Sequence, residues 1–280
     1  MPTTHLYKKY AAVLFFATAA FMAAAHEFWL MPLQSFVAPG TTLNLPVFVG
    51  ENFTGQRWAG KSSRVTRLVH YTPLGVEDLL AKATTGDTLQ PNVTFAQPGT
   101  HMVVLATNNA FITLEAEKFN AYLKEDGLDY ILLQRQQRGA LNIPGREAYS
   151  RCTKLLVQVG NPVTTDTARA WSRPTGMPLE LVPEQNPYTL RVGNSLTIRV
   201  LADGQPKAGQ LVQVWQRSVG QPVKIIRLYS NQNGRVLFRL SNPGQFMVSA
   251  VRMVTTKLPE ADWQSNWSTL TFGFRGISSR

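Results

Sequence analysis

The 280-residue sequence predicts a mainly β protein built as two tandem immunoglobulin-like or transthyretin-like β-sandwich domains, with a short helical insertion between them. Three observations predict it. Short runs of β-branched and aromatic residues recur between Pro-Gly, Asn-Gly and Asp-Gly turn signals. Those turns fall at the spacing of a sandwich. A stretch of the first half is also echoed in the second: Phe95-Ala96-Gln97-Pro98-Gly99-Thr100-His101-Met102-Val103 matches Leu240-Ser241-Asn242-Pro243-Gly244-Gln245-Phe246-Met247-Val248. In each copy Pro-Gly opens a strand whose first ring plugs a core.

Residues 1–25 read as a cleavable signal peptide. His5, Lys8 and Lys9 precede the apolar run 11–22, and Ala23-Ala24-Ala25 supplies a small-x-small cleavage site, so the mature chain is expected to start at His26 in the periplasm. No later run approaches the ~20 apolar residues of a membrane helix. The one cysteine, Cys152, lies far from the cleavage point, which argues against a lipid anchor and excludes an internal disulfide.

Strands are predicted over 35–49, 64–71 and 96–107. In the last of these His101, Val103 and Leu105 share one face, and Met102, Val104 and Ala106 the other. Residues 115–137 change period: Phe119, Tyr122, Leu123, Leu128, Ile131 and Leu132 recur at helical spacing, interrupted by Asp126-Gly127, as two short helices or one broken one. A turn-rich link at 139–146 and a strand at 149–159 complete an N-terminal domain of 26–160. A polar linker at 161–178 follows, and 179–280 form the second sandwich, with strands at 195–201, 211–217, 235–240 and 246–254.

With 44% hydrophobic and 16% charged residues the chain is neither disordered nor a coiled coil. The formal charge is +11, or +9 once Lys8 and Lys9 leave with the leader. The basic residues are scattered (Arg57, Lys61, Arg64, Arg67), which argues against nucleic acid as partner. There is no paired-histidine zinc motif, Gly-x-Ser-x-Gly elbow, phosphate loop or calcium loop, so no catalytic residue is assigned and the protein is expected not to be an enzyme. Cys152 reads as a buried small residue.

Cleavage would make His26 the terminal residue. Its α-amino group and imidazole can chelate one ion in a six-membered ring, an arrangement suited to nickel, cobalt or copper. Phe28, Trp29 and Leu30 would anchor that terminus in the first sandwich. An incidental His at the cleavage point is the plain alternative. The remaining candidate ligands are His70, at a strand end where a ligand could be exposed, and His101, whose repeat counterpart is Phe246 and which reads equally as a packed ring. Trp263 and Trp267 are expected in a loop, with Leu270 and Phe272 in a closing strand.

The accumulated motifs resemble an exported bacterial family of unknown function found beside nickel and cobalt uptake transporters, the nickel-uptake substrate-specific family. The resemblance rests on Ala25-His26-Glu27-Phe28-Trp29-Leu30, Glu117-Lys118-Phe119-Asn120-Ala121-Tyr122-Leu123, Gly145-Arg146-Glu147-Ala148-Tyr149-Ser150-Arg151, Pro178-Leu179-Glu180-Leu181-Val182-Pro183 and Ala261-Asp262-Trp263. It implies a periplasmic binding protein that presents nickel, cobalt or copper to an uptake transporter or outer-membrane receptor, with His26 as ligand. Arg252 and Gln264 stand where similar proteins carry His and Glu, which removes two potential donors. The segment with Arg146, Glu147, Tyr149 and Arg151 could equally tie helix to sheet. A metal-free interaction module, or a copper enzyme of oxidative chemistry, are the competing expectations.

Overall fold

Runs of alternating and β-branched residues become nineteen strands among the residues described by the computed structural model, which are 26–60, 62–83, 89–162 and 166–276. The leader expected at 1–25 lies outside them. The fold is mainly β and of sandwich type.

In chain order the first half holds β1 (Glu27–Leu30), β2 (Phe36–Val37), β3 (Thr41–Asn44), β4 (Val47–Glu51), β5 (Thr54–Arg57), β6 (Val65–Thr72), β7 (Gly75–Asp78), β8 (Asn92–Phe95), β9 (Gly99–Thr107) and β10 (Ala110–Leu114). Helices α1 (Ala116–Glu125) and α2 (Asp129–Gln137) follow, then β11 (Gly145–Val159). The second half holds β12 (Leu179–Pro183), β13 (Ser195–Ala202), β14 (Gln205–Pro206), β15 (Leu211–Arg217), β16 (Lys224–Tyr229), β17 (Arg235–Arg239), β18 (Gly244–Thr255) and β19 (Trp263–Phe274).

One large sheet runs in the order β16-β15-β18-β19-β11-β9-β6-β7, with β10 and β2 also paired to β11. Its centre is the parallel pair β11–β19, in register from Glu147↔Trp263 to Leu155↔Thr271. Parallel pairing of this kind is found where both faces are covered, and residues 151–159 of β11 are buried without interruption. Hydrogen bonding therefore passes straight from the first half of the chain into the second, across the linker expected at 161–178.

Two layers cover this sheet. On one face lie β1-β4-β5 and β3-β8, so that Phe28, Val47, Leu43 and Phe95 meet Leu68, Val103, Leu105 and Val157. On the other, β12-β13-β17 packs Leu181, Ile198 and Phe238 against Met102, Val104, Leu156, Val248 and Phe272. β9 thus sends Val103 and Leu105 one way and Met102 and Val104 the other, as period-2 alternation requires. The second core joins residues of both halves.

The Pro-Gly echo has a structural meaning: β9 and β18 occupy matching places, each flanking one member of the central pair. Gly99 and Gly244 open them at φ of +129° and +157°, and a Cβ on Gly244 would come within 2.5 Å of the Arg217 carbonyl oxygen. Gly244→Ala is therefore expected to lower unfolding stability by about 2–3 kcal/mol, readable in a urea titration, with strand content retained.

The helices cap one end of the sheet. Phe119, Tyr122 and Leu123 of α1 and Ile131 of α2 pack on Met253, Trp263 and Trp267, and Gly127 turns the chain between them at φ +67°. Trp263 and Trp267 belong to β19 rather than to a loop, because the rings at 263 and 267 and Ser265 between them all face inward against α1. Tyr122 stacks on Trp267, centroids 6.0 Å apart.

Candidate functional site

His26 sits just before β1, and the β1–β4 register, Glu27↔Gly50 to Leu30↔Val47, carries on to set it opposite Glu51. Glu51 closes a two-residue hairpin, pairing with Thr54, while Asn52 and Phe53 both take positive φ (53° and 56°) as such a turn demands. The result is a contact of 3.0 Å between His26 Nδ1 and Glu51 Oε1. The ring is partly buried and the carboxylate half exposed.

The strand behind His26 is held on every side. Phe28 and Leu30 enter the core under β6, β9 and β11, whereas Trp29 points the opposite way, to Phe53, Trp215 and Met247. The carbonyl oxygens of Phe28 and Leu30 accept hydrogen bonds from the hydroxyls of Thr269 (2.6 Å) and Thr271 (2.8 Å), and the Leu30 N–H donates to Thr153 Oγ1 at 3.3 Å. The anchor expected in the first sandwich is thus extended across the β11–β19 seam and engages both halves.

A cleft of about 620 Å³ opens beside this terminus, lined by His26, Glu51, Arg57, Trp58, Tyr149 and Arg151 among others. Arg57 Nη1 donates to Gln90 Oε1 at 2.5 Å. The buried Arg151 guanidinium lies 4.9 Å from the Tyr149 ring centre and 5.7 Å from that of Phe28.

His70 and His101 are brought together elsewhere. His70 is fully buried rather than exposed at a strand end, because β6 lies between β9 and β7 and Phe95 packs on its ring at 5.1 Å. His101 Nε2 lies 2.8 Å from the Gln97 carbonyl oxygen, which can only accept, so that nitrogen carries the proton. His101 Nδ1 then accepts from His70 Nε2 at 2.8 Å, leaving His70 Nδ1 3.4 Å from Glu77 Oε2. Burial, reinforced by the neighbouring ring, pushes the His70 pKa down to about 4, and burial also lowers that of His101. Both rings are neutral, with three of their four nitrogens engaged in short hydrogen bonds or in donation to one. Among the described residues no group of three or more His, Cys, Asp or Glu side chains is arranged to hold a metal, so His26, His70 and His101 do not form one site.

Glu27, next to His26, turns inward. With Asp126, Gln213, Ser249 and Trp267 it lines a small cavity of about 10 Å³, enough for about one water. Burial pushes the Glu27 pKa up to about 8 and that of Asp126 well above the carboxylate range. Glu147, also buried, accepts from Tyr122 Oη at 3.2 Å and from Ser265 Oγ, and burial raises it to about 7. Glu147 thereby ties α1 to β19. Arg146 binds Asp262 through two nitrogens, at 3.0 and 2.7 Å, while Tyr149 and Arg151 face the cleft.

The positions where donors were expected to be lost serve other contacts. Arg252 pairs with Asp203 at 2.7 Å, and Gln264 exchanges hydrogen bonds with Asn109 at 2.8 and 3.0 Å. Cys152 is buried and its thiol is pushed up to about 12 by that burial, which suits packing rather than nucleophilic chemistry. Sequence reasoning misses Glu51, Trp58 and Glu27. The turn residues Gly50-Glu51-Asn52 are a local signal that could mark Glu51, but nothing local names the strand that pairs across from it.

A family model described as a domain of unknown function, DUF4198, matches residues 23–254. Among solved structures, the D0-D1 domain of Intimin is similar at 11% identity and a TM-score of 0.20, covering 89% of this chain and 97% of that one. The D00-D0 domain of Intimin is similar at 11% identity and a TM-score of 0.20, covering 89% and 99%. No curated protein matches the sequence.

Proposed function

The chain belongs to the DUF4198 family, a domain of unknown function, and from that premise we propose that it is a non-enzymatic module of the bacterial envelope that holds nickel, cobalt or copper on its processed N-terminus. It would present the ion to an uptake transporter or outer-membrane receptor. The observation that supports this reading is the 3.0 Å spacing of His26 Nδ1 and Glu51 Oε1. Two donors each about 2.1 Å from a divalent ion and at right angles around it stand about 3 Å apart, so the pair has the bite of adjacent ligands. Release of residues 1–25 would free the His26 amino nitrogen as a third donor, closing a six-membered ring with Nδ1. The set of two nitrogens and one carboxylate oxygen suits first-row ions of this group.

His70 and His101 take no part in this reading. Breaking their mutual hydrogen bond would strand buried nitrogens beneath Phe95.

Calorimetric titration of protein beginning at His26 should give one-to-one binding of nickel or copper. Glu51→Gln should weaken it at least about tenfold, since an amide is a poorer donor than a carboxylate. Retaining Ala25 ahead of His26, which converts the amine to an amide, should abolish it. Unchanged affinity in the extended protein would reject the chelate.

A further inference from the structure

On the layer that covers the large sheet away from β1, the β13–β17 register sets Arg199 directly opposite Arg235. Like charges so placed repel, and one carboxylate answers both. Glu184 follows β12, and its N–H donates to the Thr197 carbonyl oxygen at 2.9 Å, which fixes it beside β13. Glu184 Oε1 accepts from Arg199 Nε at 2.8 Å and from Arg199 Nη2, and both carboxylate oxygens accept from Arg235 Nε at 2.9 Å. Arg199 Nη1 and both terminal nitrogens of Arg235 donate to no described residue. Burial opposes the ionisation of Glu184, yet the two guanidiniums hold its carboxyl below the usual range, so it carries its full negative charge.

A third guanidinium joins them around a cavity of about 380 Å³, lined by Arg169, Glu184, Arg199 and Arg235 together with Val182 and Leu201. Arg169 lies outside the strands at φ +47°, a left-handed conformation that is strained for a residue with a long side chain and that gathers at ligand sites. Its guanidinium lies 5.2 Å from the Trp171 ring centre and makes no hydrogen bond or ion pair with a described residue. The lining therefore sets three positive charges against one negative. Asp166 Oδ1 accepts from the Arg169 N–H at 3.2 Å, and the sum is still positive when that carboxylate is counted. Two further acids are matched by cations of their own, Glu180 by Lys154 and Asp203 by Arg252.

Guanidiniums arriving from three separate segments can each fork onto the oxygens of one tetrahedral dianion, a geometry that suits phosphate better than a planar carboxylate. The volume exceeds what bare phosphate needs and falls within the range of about 300–1,000 Å³ found for small-molecule sites. The buried side chains of Val182 and Leu201 add an apolar surface on which an organic group can rest. We infer that this cavity binds a phosphate monoester, with the phosphoryl oxygens on Arg169, Arg199 and Arg235 and the organic part on Val182 and Leu201. The site lies on the layer opposite the one that carries His26, and it stands independently of the metal-binding reading.

The test titrates protein beginning at His26, in EDTA, with phenyl phosphate and with inorganic phosphate by calorimetry. Phenyl phosphate should bind one-to-one and at least about fivefold tighter than inorganic phosphate, since only the ester covers the apolar surface. Arg169→Gln removes a guanidinium that holds nothing in the fold and should weaken binding at least about tenfold, as should Arg235→Gln. Arg191→Gln, an exposed position outside the cavity, changes the net charge equally and should leave the affinity unchanged. Vesicles containing phosphatidic acid carry the same monoester on a lipid. Cosedimentation that is lost in Arg169→Gln would support the site with a bilayer as the source of the ester, whereas phenyl phosphate binding without cosedimentation would support it with a soluble one. Equal losses in Arg169→Gln and Arg191→Gln would overturn the inference in favour of diffuse attraction, and so would an absence of binding to both phenyl phosphate and vesicles. Equal affinity for the two phosphates would overturn the assignment to a monoester.

Discussion

Thermal stability measured in EDTA should be highest in mildly acidic buffer and fall steadily as the pH is raised toward 9. The cause is the cluster of Glu27, Asp126 and Glu147, all buried and all with pKa values raised by that burial. A carboxyl whose folded pKa lies above its unfolded one contributes stability that is complete below the unfolded value, near 4.5, and is lost as pH rises through the folded value. For Glu27 the rise from 4.5 to about 8 corresponds to about 5 kcal/mol, a large share of the about 5–15 kcal/mol that holds a domain folded. Glu147, at about 7, adds loss in the same direction, and the neighbouring carboxyls titrate as a coupled set.

The acid side has the opposite sign. His70, held neutral with a folded pKa of about 4 against 6.5 for the free ring, contributes stability present above 6.5 and lost as pH falls toward 4. A dome results. Glu27→Gln keeps the shape and the acceptor that faces Ser249 while removing the ionisation, so it should flatten the alkaline limb and leave the acid limb in place. A Glu27→Gln protein whose melting temperature falls with pH as steeply as the parent's would rule out Glu27 as the source.

How much of this was legible in the sequence follows from range. The period-2 runs at 96–107, 211–217 and 246–254 announced strands, and Asp126-Gly127 announced the helix break, because each signal is local. The Pro-Gly echo announced matching strands. What joins them was silent: the β11–β19 pairing is set by residues from opposite ends of the chain, and nothing in either strand's alternation names its neighbour. The same silence covers polar residues: Thr153, Thr269 and Thr271 turn inward to bond the backbone of β1, and no pattern within either strand signals it. His70 read as accessible because the turn at Thr72 follows it, and the covering ring of Phe95 comes from another strand. At the candidate site His26 was visible through the cleavage pattern. Glu51, Arg57 and Arg151 meet it only once the β1–β4 register and the β11 layer are in place.

The second large effect concerns the ion pair between layers. Lys154, on the central strand β11, reaches Glu180 on β12 with Nζ–Oε2 at 3.0 Å, and the two side chains are 1% and 2% exposed. Glu180 also accepts from the Thr175 N–H (2.8 and 2.9 Å), the Thr175 hydroxyl (3.0 Å) and the Met177 N–H (2.6 Å). Burial opposes its ionisation, yet the Lys154 charge and those donors hold its carboxyl below the usual range. Glu180→Leu strands a buried ammonium and two backbone donors, so it should cost about 3–5 kcal/mol. Lys154→Met leaves Glu180 its other donors and should cost less. In Lys154→Met/Glu180→Leu no buried charge remains, and the apolar pair fills the layer. The double variant is therefore expected to be more stable than Glu180→Leu alone, the second substitution reversing part of the first. Urea unfolding of the four proteins closes the cycle. Losses that simply add would mean the two charges do not rely on each other, and the pair would then be incidental to the joining of the layers.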